Sequence, residues 1–260
     1  MPISRQESVL EQAMLFTERT LYGDFTTAYL ALLSSVMSRG KPANAQNPRG
    51  SARELTNVVY SLKGLDTPAN WHVDFKKTGY PERTEVYESY AKRELEWYQS
   101  GSLDAATAPS KFWSKLADDQ GKIVSNYGHM MLHWPGYPQD RTAVQTAADI
   151  LVADPCSRQA VLHYSQPKHY LGLKDTPCTV SASVMIRDGK LNMTTFQRSC
   201  DCVKGLGFDA AWNCWLMSYL RDLLAAKGVV AELGTFTHVI VSLHIYDVDM
   251  DLVCKILAKG

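Results

Sequence analysis

The chain has 260 residues, 45% apolar and 21% charged, the proportions of a globular protein with a sizeable core. Its 27 Lys and Arg balance 27 Asp and Glu, which excludes a global field directed at nucleic acid or an anionic membrane but leaves room for one basic pocket. The longest apolar runs, such as Val239–Leu243, are strand-sized, and Met1-Pro-Ile-Ser-Arg-Gln-Glu lacks the apolar stretch of a signal peptide. The expected location is therefore the cytoplasm, with neither membrane nor direct nucleic-acid binding.

In chain order, apolar residues at helical spacing (Leu10, Ala13, Met14, Phe16, Leu21) run from Glu7 to Met37 with a break at Gly23-Asp24, which predicts two helices. Gly40–Arg53, rich in Pro, Gly, Asn and Ser and carrying several basic residues, predicts a loop. Leu55–Leu62 reads as a strand, and Pro68–Pro81 as irregular chain. Tyr87–Tyr98 places Tyr90, Leu95, Trp97 and Tyr98 on the apolar face of a helix built from good helix formers, and Arg141–Leu151 predicts another short helix. From Ala160 the period changes. Ala160–Tyr164, Val180–Ile186, Leu191–Phe196 and Thr237–Tyr246 are rich in Val, Ile, Thr and aromatics and predict strands, with a hairpin signal at Asp188-Gly189. Ala210–Lys227 predicts a long apolar helix (Trp212, Trp215, Leu216, Tyr219, Leu220, Leu223) stopped by Gly228. This order implies an α+β single domain.

The 6 cysteines, at 156, 178, 200, 202, 214 and 254, form no CxxC pair and no zinc-type double cluster. Neither a metal site nor a disulfide framework is expected, and most of the thiols read as small buried hydrophobes. Cys178 differs from the others in its local context. In Asp175-Thr-Pro-Cys178-Thr it follows a proline at a strand entrance, where the backbone is fixed and the side chain can face a cleft. Gln197-Arg198-Ser199-Cys200-Asp201 closes the hairpin's second strand. A guanidinium beside a hydroxyl clamps an anion, and the same cation lowers the pKa of a nearby thiol. Taken singly, the cysteine reads more readily as a core thiol and the arginine as a solvated charge.

The pieces nevertheless form an ordered series. Ser125-Asn-Tyr127-Gly128 and Asp154-Pro-Cys-Ser157-Arg158 come first, followed by Pro177-Cys178, Arg187-Asp188-Gly189-Lys190-Leu191 and Gln197-Arg198-Ser199-Cys200-Asp201. Gly205-Leu206-Gly207-Phe208-Asp209 and His244-Ile-Tyr246 complete it. The series resembles the thymidylate synthase family from about Tyr90 to Tyr246, with residues 1–85 a divergent N-terminal part. The resemblance implies one catalytic domain over residues 1–260, with a mixed sheet and a long buried helix. Arg93-Glu94-Leu-Glu-Trp97-Tyr98, Ser125-Asn-Tyr-Gly128 and Cys178-Thr179 look like the T-even phage type of deoxycytidylate hydroxymethylase. Synthases normally carry His after the nucleophilic Cys, where this chain has Thr179, and Asn where it has Asp209.

The Asp209 difference has a chemical meaning. Uracil offers an N3–H donor and an O4 acceptor, which a carboxamide complements. Cytosine offers an N4 amino donor and an N3 acceptor, which a protonated carboxyl complements. Protonating N3 also makes C6 more electrophilic, so Asp209 would both select the base and act as general acid. The competing reading makes Asp209 the N-cap of a helix opening at Ala210.

The resemblance implies the remaining roles. Cys178 is the expected nucleophile, and Glu94 the catalytic glutamate that organises water. Arg198 and Ser199 are expected to hold the 5′-phosphate of dCMP, with Arg158 reaching across from a second subunit of a homodimer with shared active sites. The family usually has two adjacent arginines there. Here the second is Gln159, which weakens the phosphate grip or moves it to a residue of the Arg49–Arg53 loop. His244 and Tyr246 match the pair on the sugar 3′-hydroxyl, Asp201 would position Asp209 and the base edge, and Tyr127 would sit near Cys178. Trp113 and Leu116 are expected to face the co-substrate 5,10-methylenetetrahydrofolate, with Leu116 where synthases usually have Trp. The expected product is 5-hydroxymethyl-dCMP, formed when water rather than hydride reaches an exocyclic methylene at C5. The rivals are a dCMP methyltransferase, a ribonucleotide-preferring CMP hydroxymethylase, which Ser199 disfavours, and a silent nucleotide-binding protein. The short tail to Gly260 gives the last some weight, and the joint presence of Cys178, Glu94 and Asp209 opposes it.

Overall fold

A computed structural model describes residues 20–43, 49–166 and 175–258; the first predicted N-terminal helix and the middle of the 40–53 loop lie outside them. Strand β1 (Leu21–Tyr22) leads into helix α1 (Phe25–Arg39), which starts where the sequence pattern breaks. Asp24 is the reason: its carboxylate accepts the Thr27 N–H at 3.0 Å and caps the helix. The ends of the expected loop are strands. β2 (Lys41–Ala43) pairs antiparallel with the start of β3 (Ala52–Leu62), so β3 begins three residues before the predicted strand. Pro42 donates no hydrogen bond, which an outer strand with a single neighbour tolerates.

Helix α2 (Thr84–Ser100) ends at Gly101, whose φ of 64° is the left-handed cap a glycine adopts without strain. A single helical turn at Lys111–Ser114 follows, then α3 (Ala143–Ala153), opened by a capping box between Thr142 and Gln145. Strand β4 (Val161–His163) precedes the hairpin of β5 (Thr179–Arg187) and β6 (Lys190–Gln197), whose turn residues Asp188 and Gly189 both have positive φ. A two-residue strand β7 (Cys200–Asp201), helix α4 (Leu206–Ala226), the long strand β8 (Glu232–Tyr246) and α5 (Met250–Leu257) follow.

The strands form one mixed sheet in the order β1-β3-β8-β6-β5-β4. β3 runs antiparallel to β8, whereas β6 and β7 run parallel to it. A parallel neighbour requires a crossover, and α4 supplies it, burying Trp212, Leu216, Met217, Leu220 and Leu224. The expected α+β architecture, a mixed sheet with a long buried helix, is what the chain adopts. Cys200, Cys202 and Cys214 are buried, Cys178 is half-buried, and Cys156 and Cys254 are exposed. Among the described residues no helix is long and apolar enough to cross a membrane.

Helix α4 opens at Leu206, four residues before the predicted start, and this corrects one reading of Asp209. The Asp201 carboxylate accepts the Val203 and Lys204 amides at 2.8 and 3.1 Å, tightening the turn so that Gly205 takes the N-cap position. Asp209 lies inside the first turn, its own N–H bonded to the Gly205 carbonyl at 2.9 Å. Its side chain is therefore not the helix cap.

Candidate active site

Thr179 at the start of β5 is paired with Gln197 at the end of β6, so Cys178 and Arg198 meet where the hairpin opens. The Arg198 N–H donates to the Cys178 carbonyl at 2.9 Å. Its Nε donates to the Pro177 carbonyl at 3.0 Å and its Nη2 to that of Thr176 at 2.7 Å, with Nη2 also 3.7 Å from Cys178 Sγ. The guanidinium does favour the thiolate, as the sequence implies, but burial outweighs it and pushes the thiol up to about 11. Asp209, Asp175 and Asp201 push the same way.

Tyr127 lies within one residue of the thiol, its Oη accepting the Thr179 N–H at 3.1 Å and its ring stacked on Tyr98. Gly128 allows that contact, because a Cβ there would stand 1.7 Å from the Tyr98 carbonyl oxygen. Buried Asp175 accepts the Ser125 N–H at 2.9 Å and ties this loop to the Cys178 segment.

The two carboxyls come from the first turn of α4 and from α2. Asp209 Oδ2 accepts from Gln197 Nε2 at 2.7 Å, and burial raises the Asp209 carboxyl to about 6. Glu94 on α2 is only 6% exposed, whereas Glu96 beside it projects into solvent. Burial first, then Asp209, raises the Glu94 carboxyl to about 8, against a hydrogen bond donated by Tyr90 Oη at 2.9 Å. Tyr90 in turn accepts from Trp113 Nε1 at 3.2 Å, and its ring packs 4.7 Å from that of Phe208.

At the other end, β7 lies beside β8 and brings Asp201 into register with His244. The His244 carbonyl accepts the Cys202 N–H at 2.9 Å, and its ring meets Tyr246 edge-on at 4.9 Å. Burial lowers the His244 pKa, which leaves a neutral imidazole. Arg49 arrives from the N-terminal loop, pairs with Asp201 and Asp249, and lies 3.9 Å over the Tyr246 ring. Arg53 points elsewhere, donating to the Met37 carbonyl at 3.2 Å. Asp201 thus holds a turn and a loop arginine rather than bonding Asp209 directly. Ser199 is half-buried beside Arg198, while Arg158 is exposed on the loop after α3 and does not join the cluster within this chain. Half-buried Trp113 packs 4.9 Å from Trp97, and half-buried Leu116 follows it near exposed Phe112.

The profile of the family described as thymidylate synthase matches residues 27–260, from the first turn of α1 onward. The chain belongs to the thymidylate synthase family. It is 32% identical over 173 residues to the deoxycytidylate 5-hydroxymethyltransferase of Enterobacteria phage T4, a match covering 61% of this chain and 67% of the phage protein. The proteins of the same description from Enterobacteria phages T2 and T6 match to the same extent.

Three residues of this family member's site lay outside the roles read from sequence. Gln197 appeared only as part of a motif, although its side chain donates to the Asp209 carboxyl at 2.7 Å. Tyr90 appeared only as an apolar helix position, although its spacing of four residues from Glu94 places the two on one helical face. Arg49 appeared only within a basic loop offered for the phosphate, and its pairing with Asp201 and Asp249 was not foreseen.

The raised Glu94 carboxyl predicts a pH effect on stability. Between the unfolded value of 4.5 and the folded value of about 8, the folded state binds more protons than the unfolded one. Stability is therefore fully favoured below 4.5 and declines as pH rises through that window, by about 1.4 kcal/mol per unit of pKa difference. Asp209 has the same sign between 3.8 and about 6. Glu94→Gln should raise the melting temperature at pH 8 more than at pH 5, and equal changes at both pH values would contradict the raised pKa.

Proposed function

We propose that the protein is a deoxycytidylate 5-hydroxymethylase, converting dCMP to 5-hydroxymethyl-dCMP. Asp209 carries this reading. It is a buried carboxyl whose pKa is raised to about 6, so it is protonated readily, and it stands where synthases have a carboxamide. Gln197 donates to Oδ2, and Oδ1 is the oxygen assigned to the base edge in this reading. An acid there accepts from N4 and donates to N3 of cytosine, whereas uracil mismatches it. The names of the three phage relatives agree with this choice.

The residues have clear tasks. Cys178 Sγ, as thiolate, adds to C6 of the ring, breaking the C5=C6 π bond and leaving C5 nucleophilic. Arg198 beside the sulfur opposes the effect of burial. 5,10-Methylenetetrahydrofolate, lying against Trp113 and Leu116, supplies the one-carbon unit at the formaldehyde oxidation level. C5 bonds to that carbon as one of its C–N bonds to the folate breaks, and loss of the C5 proton then expels tetrahydrofolate from the other, leaving an exocyclic methylene on the pyrimidine. Glu94 takes a proton from water as the water oxygen bonds to that carbon, and C5=C6 re-forms as Cys178 departs with the C–S bonding pair. Arg198 and Ser199 bind the 5′-phosphate, and His244 and Tyr246 the sugar hydroxyl.

The phosphate site is completed by Arg158 of the partner subunit in a homodimer. Two features support this. Arg158 is exposed and apart from its own chain's cluster, and the outward sheet face carries an apolar row in which Val59 and Phe196 flank Val239 in register. Val59 is 43% and Phe196 40% exposed, large for aliphatic and aromatic groups at the middle of a sheet. Mixing Arg158→Ala with Cys178→Ser, each inactive alone, should restore some activity through hybrid dimers. No rescue despite demonstrated subunit exchange would count against shared sites.

The reaction is tested by incubating the protein with dCMP, dUMP and CMP in the presence of methylenetetrahydrofolate and weighing the products. A hydroxymethyl adduct of dCMP is expected. A methyl adduct accompanied by dihydrofolate would make the enzyme a methyltransferase instead.

A further inference from the structure

Tyr90 occupies a position that the reaction just described leaves without a task. Its hydroxyl stands between Trp113 Nε1, 3.2 Å away, and Glu94 Oε1, 2.9 Å away. The indole N–H is a donor only, so it fills an acceptor site on Tyr90 Oη and directs the phenolic hydrogen to Glu94. The chain of donors therefore has one direction: Trp113 to Tyr90 to Glu94. Burial raises the Tyr90 pKa, which keeps the phenol protonated and a donor throughout the neutral range. The ring is fixed as well, packed 4.7 Å from Phe208, the residue before Asp209.

We propose that Tyr90 is a positioning residue for the water-activating step, holding Glu94 as an oriented carboxylate with Oε2 turned toward the water that it deprotonates. This rests on the hydroxymethylase reading, in which Glu94 is the base. A base must be ionised to act, and the surroundings of Glu94 oppose ionisation. The group is buried and Asp209 on α4 adds a like charge, while the phenols of Tyr87 and Tyr98 on α2 stay protonated and uncharged. Tyr90 is the partner whose hydrogen bond favours the charged form. Its donation to Oε1 also removes that oxygen from competition for the water. Trp113 thereby acquires a second use besides meeting the co-substrate, since it fixes the direction of the tyrosine hydroxyl.

Tyr90→Phe keeps the ring against Phe208 and removes only the hydroxyl, so it isolates the hydrogen bond. The carboxyl of Glu94 should then titrate about one pH unit or more higher. The ascending limb of the kcat profile for hydroxymethyl-dCMP should move alkaline by that amount, giving roughly tenfold less activity at the foot of the limb and recovery toward the wild-type rate above it. A purely structural role would lower the rate by one factor at every pH. The same shift should appear without turnover in the 13C resonance of the Glu94 carboxyl, assigned with Glu94→Gln in protein labelled at glutamate. Trp113→Phe, which keeps the tyrosine and removes its donor, should move that resonance's titration in the same direction by less.

An unshifted limb in Tyr90→Phe, or an unshifted Glu94 resonance there, would overturn the proposal. Should Tyr90→Phe fail to fold, a Glu94 titration in Trp113→Phe that coincides with wild type would overturn it. Wild-type protein that titrates as described but makes no hydroxymethyl product would instead count against the hydroxymethylase reading, so the two failures are distinguishable.

Discussion

Cys178→Ser is expected to abolish turnover of dCMP and exchange of tritium from C5, a loss of about 10⁴-fold or more, the scale on which removal of a nucleophile acts. The serine hydroxyl ionises far above any working pH, and even the native thiol is held up to about 11 by burial, so the site has no spare capacity to ionise a weaker acid. Nucleotide binding should stay within a few-fold of wild type. Arg198 is held by the backbone carbonyls of Thr176 and Pro177, which the substitution leaves in place. Binding is read by titration calorimetry, and exchange by release of tritium to water. Exchange at the wild-type rate in the variant would remove Cys178 from the mechanism.

Asp209→Asn is expected to lower kcat/KM for dCMP strongly and to move the dCMP:dUMP preference toward dUMP. The variant keeps an oxygen to accept from Gln197 Nε2, which now meets Oδ2 at 2.7 Å, so the change is chemical more than steric. A buried hydrogen-bond mismatch costs on the order of 1–3 kcal/mol, which is about tenfold or more in selectivity through binding alone. Loss of the proton donated to N3 slows attack on cytosine further, because a carboxamide cannot supply it. No helix-capping effect confuses the result, since Gly205 holds the N-cap position and Asp209 lies inside α4. The variant should also lose the decline in stability that the raised Asp209 pKa imposes as pH rises from 3.8 toward about 6. An unchanged ratio of kcat/KM for the two nucleotides would sink the base-recognition role.

Much of the fold is written in local patterns. Alternating Val, Ile and Thr marked β5, β6 and β8, and Asp188-Gly189 marked the turn between the first two, because strand and turn preferences act within a few residues. The break at Gly23-Asp24 marked the start of α1, because a cap is a contact across three residues. β2 was not legible. Three residues with a proline carry no strand signal of their own, and they become a strand only by pairing with β3. The start of α4 was misplaced for a related reason: Asp201, eight positions before Asp209, shapes the turn that fixes it.

The candidate site divides along the same line. The sequence by itself determined the residue types and their order, Cys178 before Arg198 before Asp209, and through that order the family. Through the resemblance it also set Asp209 where synthases normally carry Asn, a matter of covalent identity. Only the tertiary structure decided how those groups are poised. Glu94 and Glu96 are alike in sequence, and one is a buried acid with its carboxyl raised to about 8 while the other is solvated. Gln197 on Asp209 and Arg49 on Asp201 join residues by contacts that no spacing rule counts reliably. Ionisation depends on desolvation and on the charges within a few ångströms, and both are properties of the packed chain rather than of any segment.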